Sequence, residues 1–134
     1  MTSKKRRKKS PRTKLIDKCN DEVRRIIRKR DKNICQKCGK TITSKYDSHP
    51  SHVKSKGHHP YLRHDLQNVK LLCFRCHIHW WHREPSESWD WFQREFPYRA
   101  DYLREKVIEF NQIGKTKTIS MQDLERTLDE LKKI

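Results

Sequence analysis

The feature that most constrains the fold is a pair of Cys-x-x-Cys segments. Cys35 and Cys38 form the first cysteine pair, Cys73 and Cys76 form the second, and 34 residues separate them. Four thiolates at this spacing are typical of a closed, tetrahedral zinc site. Only 32% of the residues are apolar, and a metal site contributes folding free energy that a small core lacks. We therefore predict a structural Zn²⁺ bound by these four cysteines.

The net charge of +16 is unevenly distributed along the chain. Residues 1–32 carry 15 Lys and Arg against 4 Asp and Glu, whereas residues 101–134 carry 7 of each. A basic N-terminal region indicates a polyanionic partner, most often nucleic acid. The alternative is a solvated basic surface without a specific partner, and charge alone does not distinguish DNA from RNA. The candidate phosphate contacts are Lys4, Lys5, Arg6, Arg7, Lys8, Lys9, Arg24, Arg25, Arg28, Lys54 and Lys56.

The sequence carries no signal for a membrane or for secretion. No apolar run approaches the roughly 18 residues of a membrane helix, and the first residues lack the apolar stretch of a secretory signal. We expect an intracellular, cytoplasmic protein with no membrane partner. Cysteines stay reduced in that compartment, which favours metal binding over disulfides.

Charge and apolar periodicity divide the chain into segments. Apolar residues at three- and four-residue steps predict a basic amphipathic helix over 14–32, with Cys19 on its buried face. Ser120 and Asp123 form a capping box for a last helix with a leucine stripe. Short strands are predicted near 46–53 and 69–72, helices over about 73–83 and 98–112, and a loop over 114–119. The predicted organisation is a disordered basic tail over 1–13, the helix over 14–32, a zinc-containing core over 33–84 and a helical extension over 85–134.

The order of residues around the cysteines resembles the HNH, or ββα-metal, nuclease superfamily. The matching elements are CQKC at 35–38, His52-Val53, Asn68-Val69, LCFRC at 72–76 and His77. The segment LRHDLQN at 62–68 and the 16-residue step from His52 to Asn68 are most similar to the lambdoid phage NinG (Rap) recombination nucleases. The resemblance implies an α+β fold with a small zinc-stapled ββα-metal (HNH) core and flanking N- and C-terminal helices.

The resemblance also implies roles for individual residues. His52 would be the general base that activates water, Asn68 would tie the following loop to the strand of His52, and His77 would hold a catalytic divalent metal. Many members carry a second metal ligand directly before the base, where this chain has Ser51. Asp47 and His49 are the nearby substitutes, with Asp47 slightly favoured. A carboxylate suits Mg²⁺ or Mn²⁺, whereas imidazole also admits Zn²⁺ or Ni²⁺.

The other histidines and the aromatic residues have weaker assignments. On an α-helix, His77 and His82 are about 140° apart, so His82 and likewise His79 stay undecided. His58, His59 and His64 lie in the predicted long loop, where DNA contact or plain exposure is expected. A core role is favoured over base stacking for the aromatic cluster, which comprises Trp80, Trp81, Trp89, Trp91, Phe92 and Phe96.

The function implied by the resemblance is a metal-dependent DNA endonuclease of the HNH type that hydrolyses phosphodiester bonds. Its substrate would be a branched recombination intermediate or duplex DNA that it nicks. The main alternative is a non-catalytic zinc module that binds nucleic acid, and a third is an RNA-directed factor. The oligomeric state stays open, because the C-terminal leucine stripe fits either its own domain or a second subunit of a homodimer.

Overall fold

The computed structural model describes residues 3–113 and 118–134. Within these residues the chain forms four α-helices, one π-helical segment and a two-stranded sheet. This is the mixed architecture of helices and a small sheet that the sequence predicted. The elements are α1 (Pro11–Arg30), β1 (His49–His52), β2 (Val69–Leu72), the π-helical segment (Arg75–Trp81), α2 (Pro85–Glu95), α3 (Pro97–Ile113) and α4 (Met121–Lys132).

Local capping places α1 earlier in the chain than the predicted helix. The hydroxyl oxygen of Ser10 accepts a hydrogen bond of 3.1 Å from the N–H of Thr13, and Pro11 occupies the first turn. Both features favour a helix start, so α1 includes three residues that we assigned to the disordered tail. The helix ends before Lys32 and Asn33, whose φ angles of 56° and 54° are left-handed.

The two strands are antiparallel, and His52 at the end of β1 lies opposite Val69 at the start of β2. β2 covers the residues predicted for it, but β1 is shorter than predicted. Residues 45–47 instead form a 3₁₀ turn, which the Ser44 hydroxyl caps by accepting a hydrogen bond from the N–H of Tyr46. This turn directs the chain into β1 beside the cysteine pairs.

β2 is the centre of the core, since all four of its residues are buried. One of them is ionisable: the Lys70 amine donates to the Ser51 hydroxyl at 3.1 Å and lies 3.2 Å from the centre of the Trp81 ring. Burial lowers the pKa of Lys70 well below its ordinary value. The contacts of Lys70 join both strands to the π-helical segment.

Polar side chains from α1 and α3 secure the backbone of β2. A carboxylate oxygen of Asp31 accepts a hydrogen bond of 2.9 Å from the N–H of Leu71. The guanidinium groups of Arg30 and Arg99 donate to the Val69 carbonyl at 2.6 and 2.9 Å. Because buried backbone groups need partners, these bonds fix the sheet between the two helices.

The C-terminal helices complete the core. The leucine stripe of α4, formed by Leu124, Leu128 and Leu131, is buried, and α4 packs against α1. The Cys19 thiol donates to the Leu124 carbonyl at 3.6 Å, so Cys19 lies in the core as predicted. Of the two arrangements considered for this stripe, the chain adopts the one within its own fold. In the predicted loop over 114–119, residues 114–117 lie outside the described residues.

The aromatic cluster has the predicted core role. Trp81, Trp91 and Phe92 are buried, and Trp89 and Phe96 pack against them. None of the helices in residues 3–113 and 118–134 combines the length and the apolar character that a membrane span requires.

Replacing Leu128 with Ala should lower the free energy of unfolding by about 2–5 kcal/mol, because the cavity removes contacts between α4 and the core. Urea denaturation followed by circular dichroism measures the change. The matched control is Met121→Ala on the same helix, whose side chain is partly exposed. It should cost less than about 1 kcal/mol, and an equal loss in both variants would contradict the packing of α4 described above.

Candidate functional site

The four predicted cysteines meet in one cluster. Their sulfur atoms all lie within 4.8 Å of one another, and those of Cys38 and Cys73 are 3.9 Å apart. Zinc–sulfur bonds of about 2.3 Å in a tetrahedron place the sulfurs about 3.8 Å apart. The cluster therefore has the ligand set and the spacing to bind a structural zinc ion.

Backbone geometry holds the first cysteine pair in its turn. The N–H of Gly39 donates to the Cys35 carbonyl at 2.9 Å, and the φ angle of Gly39 is 76°. This left-handed conformation favours glycine. In the second pair, burial raises the pKa of Cys73 and Cys76, so zinc must displace protons from both thiols. Zinc binding should therefore weaken as the pH falls.

A second cluster consists of three histidines. The Nδ1 atoms of His49 and His77 are 2.9 Å apart, and the Nε2 atoms of His77 and His82 are 3.0 Å apart. His49 and His82 thus contact opposite nitrogens of His77. Among the residues described, the four cysteines are the one group of three or more potential ligands that converge on a point. The histidines instead meet in two pairs.

Each histidine pair lies at hydrogen-bond distance, which is also close to the spacing of two ligands of one metal ion. Metal–nitrogen bonds of about 2.1 Å place two imidazole nitrogens roughly 3.0–3.4 Å apart. The ring N–H of His49 at Nε2 donates to the Tyr46 carbonyl at 2.7 Å, which leaves the lone pair of Nδ1 directed at His77. A backbone carbonyl on the second nitrogen is the usual support of a metal-binding histidine. Burial, together with His82 and His49, lowers the pKa of His77 to about 4, so its imidazole is neutral at pH 7.

The π-helical segment explains why sequence reasoning left His82 undecided. The N–H of His82 donates to the His77 carbonyl at 3.2 Å, five residues earlier, so the two side chains lie on the same face. An α-helix would separate them by about 140°. π-helical turns are rare and often occur at functional sites, and the residue pattern contains no simple signal for one. The His79 ring contacts Phe74 and lines the side of the cysteine cluster.

The structure brings His49, and not Asp47, to His77. One Asp47 carboxylate oxygen accepts a hydrogen bond of 2.8 Å from the N–H of Phe74, and the other pairs with the Lys40 amine at 2.7 Å. Those contacts lower the pKa of Asp47 and hold it on the cysteine side. The sequence prediction slightly favoured Asp47 over His49 as a metal ligand, and the position of Asp47 does not support that choice.

His52 has the arrangement of a proton acceptor. Its Nε2 contacts the Arg63 carbonyl at 2.9 Å. Because a carbonyl only accepts, Nε2 carries the proton and Nδ1 keeps its lone pair. Burial lowers the pKa of His52 below its ordinary value, and the nearby charges of Lys56 and Lys70 lower it further. His52 is therefore neutral near pH 7.

Asn68 ties the loop that follows β1 to β2. Its side-chain oxygen accepts from the N–H of Lys54 at 2.7 Å, and its amide donates to the carbonyls of Lys54 and Leu62 at 3.0 Å each. The side chain is completely buried. These bonds fix the loop that carries Arg63, whose carbonyl orients His52.

His52, His77 and His82 line one open cavity of about 400 Å³. Its wall also includes Arg24, Lys56 and Arg63, which make the cavity cationic. Arg63, with its guanidinium near the Asn20 side chain, was not among the predicted phosphate contacts. Arg24 and Lys56 were predicted, and the structure places them here.

The other predicted phosphate contacts are scattered. The side chains of Lys4, Lys5, Arg6, Arg7 and Lys8 are exposed before α1, and Lys9 pairs with Asp17. Arg25 binds the carbonyls of Leu131 and Ile134, Arg28 donates to Ser48, and Lys54 lies over the Trp89 ring. His64 is buried against Asn20, and burial lowers its pKa to about 4.

Comparison with known proteins places the chain in a family. The family model described as the bacteriophage lambda NinG protein matches residues 1–82. The chain belongs to the NinG family. The match covers α1, both cysteine pairs, both strands and the π-helical segment, and it ends at His82. No curated protein and no solved structure matches the chain.

The purified protein should contain one zinc ion per chain, and Cys73→Ser should remove it and lower the melting temperature. Metal analysis with thermal denaturation checks both results. The matched control is Cys19→Ala, which loses core packing but should keep the zinc because Cys19 lies outside the cluster. Full zinc content in Cys73→Ser would contradict the four-cysteine site.

Proposed function

We propose that this NinG-family protein is a metal-dependent DNA endonuclease of the HNH type. The observation that carries the proposal is the shared cavity of His52 and His77, one oriented as a base and the other as a metal ligand. Three further features agree with the resemblance to the superfamily. His52 and Val69 lie on the two strands, Asn68 ties the loop between them, and His77 lies on the helical segment.

His52 would accept the proton of the attacking water at Nδ1. The Arg63 carbonyl fixes the ring and its tautomer, so that no reorientation is needed when the proton is transferred. An ordinary histidine has a pKa of about 6.5, and the lowered pKa of His52 keeps the base form present at neutral pH. This suits proton abstraction under physiological conditions.

His77, with His49 or His82, would hold the catalytic divalent metal. When bound, the metal supplies a positive charge beside the scissile phosphate and the leaving oxygen. The imidazole ligands admit Zn²⁺ or Ni²⁺ as well as Mn²⁺. Because the carboxylate of Asp47 is engaged elsewhere, Mg²⁺ fits this ligand set less well than the sequence alone suggested.

The cationic wall would hold the phosphodiester against the histidines. Arg24, Lys56 and Arg63 provide positive charge from α1 and from the loop after β1, and the basic segment before α1 would add contacts farther along the DNA. The charges of Lys56 and Arg63 also disfavour protonation of His52. The resemblance to NinG favours branched recombination intermediates as substrate, with nicking of duplex DNA as the other possibility.

A supercoiled-plasmid assay tests the activity. The wild-type protein should nick the plasmid with a divalent metal ion, with Mn²⁺ or Ni²⁺ better than with Mg²⁺, and stop when EDTA is added. His52→Ala should lower the rate by about 10²–10⁴-fold, the contribution of a general base, and His77→Ala should lower it by weakening metal binding. His58→Ala is the matched control, because His58 is exposed in the loop and lies outside the cavity.

Two outcomes would redirect the proposal. DNA binding without metal-dependent cleavage would favour the non-catalytic zinc module, and equal cleavage by His52→Ala would place the base elsewhere. Cleavage of RNA in preference to DNA would favour an RNA-directed enzyme. A comparison of four-way junctions with linear duplexes addresses the substrate.

The pH dependence of cleavage should reflect the lowered pKa of His52. Activity should fall as the pH drops through that pKa, so the acid midpoint should lie below the ordinary histidine value of 6.5. Lys56→Ala should shift the midpoint upward, because it removes a positive charge that opposes protonation of His52. A profile of kcat/KM against pH measures both effects. Lys106→Ala on α3 is the control, and a shift of the same size in that variant would contradict the local explanation.

A further inference from the structure

Two aromatic side chains are exposed directly beside the histidine cluster. The Tyr46 side chain is 79% exposed and that of Phe74 is 46% exposed. The Tyr46 carbonyl accepts the hydrogen bond from His49, and the centres of the Phe74 and His49 rings are 5.6 Å apart. By contrast, Trp81, which lines the cavity of His52, is buried in the core. Exposed aromatic rings on both sides of one histidine of this cluster are candidates for a binding surface.

The backbone segments that carry the two rings are fixed relative to each other. Asp47 follows Tyr46 and accepts a hydrogen bond of 2.8 Å from the N–H of Phe74. Phe74 lies between the zinc-binding residues Cys73 and Cys76, so the metal cluster restrains it too. The Ser44 hydroxyl oxygen accepts a hydrogen bond of 3.2 Å from the N–H of Tyr46. We call Tyr46 and Phe74 the aromatic pair; their backbone segments are held in place before a ligand binds, which reduces the entropy lost on binding.

The charge around the aromatic pair favours an anionic ligand. The Lys45 amine lies 5.3 Å from the centre of the Tyr46 ring, and the Arg75 side chain is exposed next to Phe74. The nearby carboxylate of Asp47 is neutralised by Lys40. Flat, exposed rings flanked by cations have the chemistry that binds unpaired nucleotides, since bases stack on the rings and phosphates meet the cations.

We infer that Tyr46 and Phe74 form a stacking surface for unpaired DNA bases beside the histidine cluster, on the side of His49. The inference rests on the proposed endonuclease function and narrows its substrate to DNA with unpaired nucleotides. The bases of a continuous duplex are stacked on one another and offer no free faces to protein rings. Unpaired bases at a bulge, a gap or a branch point do.

Fluorescence anisotropy with two labelled DNAs of the same sequence tests the inference. One DNA is a continuous duplex, and the other contains a short unpaired bulge. The binding measurements use the full-length His52→Ala protein, which prevents cleavage while the zinc site stays intact. In this background, Tyr46→Ala and Phe74→Ala should each weaken binding to the bulged DNA by about tenfold or more. Binding to the duplex should change by less than about twofold.

The chain offers matched controls for these variants. Tyr98 is 89% exposed and lies on α3, not on either segment that carries the aromatic pair, so Tyr98→Ala should leave both affinities unchanged. Tyr46→Phe should retain the preference for bulged DNA, because it keeps the ring. A 2-aminopurine placed in the bulge should lose fluorescence on binding, and Tyr46→Ala should reduce that loss.

Three results would overturn the inference. The parent His52→Ala protein could bind both DNAs with equal affinity, or Tyr46→Ala and Phe74→Ala could weaken binding to both DNAs equally. The third result is that these variants bind DNA as the parent does but change from dimer to monomer. The last result would identify the aromatic pair as a contact between copies of the chain. The proposed endonuclease function is tested separately, by the plasmid-nicking assay with the wild-type protein. If the preference for bulged DNA depends on the two rings but the protein does not nick DNA, the stacking surface is upheld and the nuclease is refuted. If the protein nicks DNA but its binding does not depend on the rings, the nuclease is upheld and the stacking surface is refuted.

Discussion

The link between the two cysteine pairs is the constraint on which the other features depend. The pairs are 34 residues apart in the chain, yet their sulfur atoms lie within 4.8 Å of one another. A metal bound to four thiolates offsets the entropy lost on closing so long a loop. The second pair begins directly after β2 and leads into the π-helical segment. The link thereby brings the strand of His52 and the helical turn of His77 together.

The π-helical segment divides two clusters with different chemistry. Cys76 and His79 line the side of the cysteine cluster, whereas His77 and His82 line the cavity that contains His52. Four thiolates saturate a tetrahedral ion and leave it inert, whereas under the proposed function two imidazoles would leave coordination positions open to substrate. One short segment can therefore stabilise the fold on one side and present reactive groups on the other.

Much of this organisation could be predicted from the residue pattern. The cysteine spacing predicted the zinc-binding cluster, because few ligand arrangements satisfy zinc. The apolar period predicted α1 and α4, because the buried face of a helix repeats every three to four residues. The family comparison confirmed the resemblance to NinG, whereas the roles of His52, Asn68 and His77 rest on the HNH resemblance and stay predictions. Helix boundaries were less accurate, since the Ser10 cap and the left-handed residues after α1 act locally and have no periodic signal.

The sequence alone determined which ligands and helix faces exist, since these depend on residue type and on contacts close in the chain. Only the tertiary structure decided which side chains share a site. The 3₁₀ turn at 45–47 engages Asp47 with Lys40 and turns His49 toward His77, although the residue pattern offered both as candidates. The π-helical turn places His82 over His77, where an α-helical period would have separated them. Both outcomes depend on how the turn, the cysteine cluster and β2 pack together, and residue order does not encode that packing in any simple pattern.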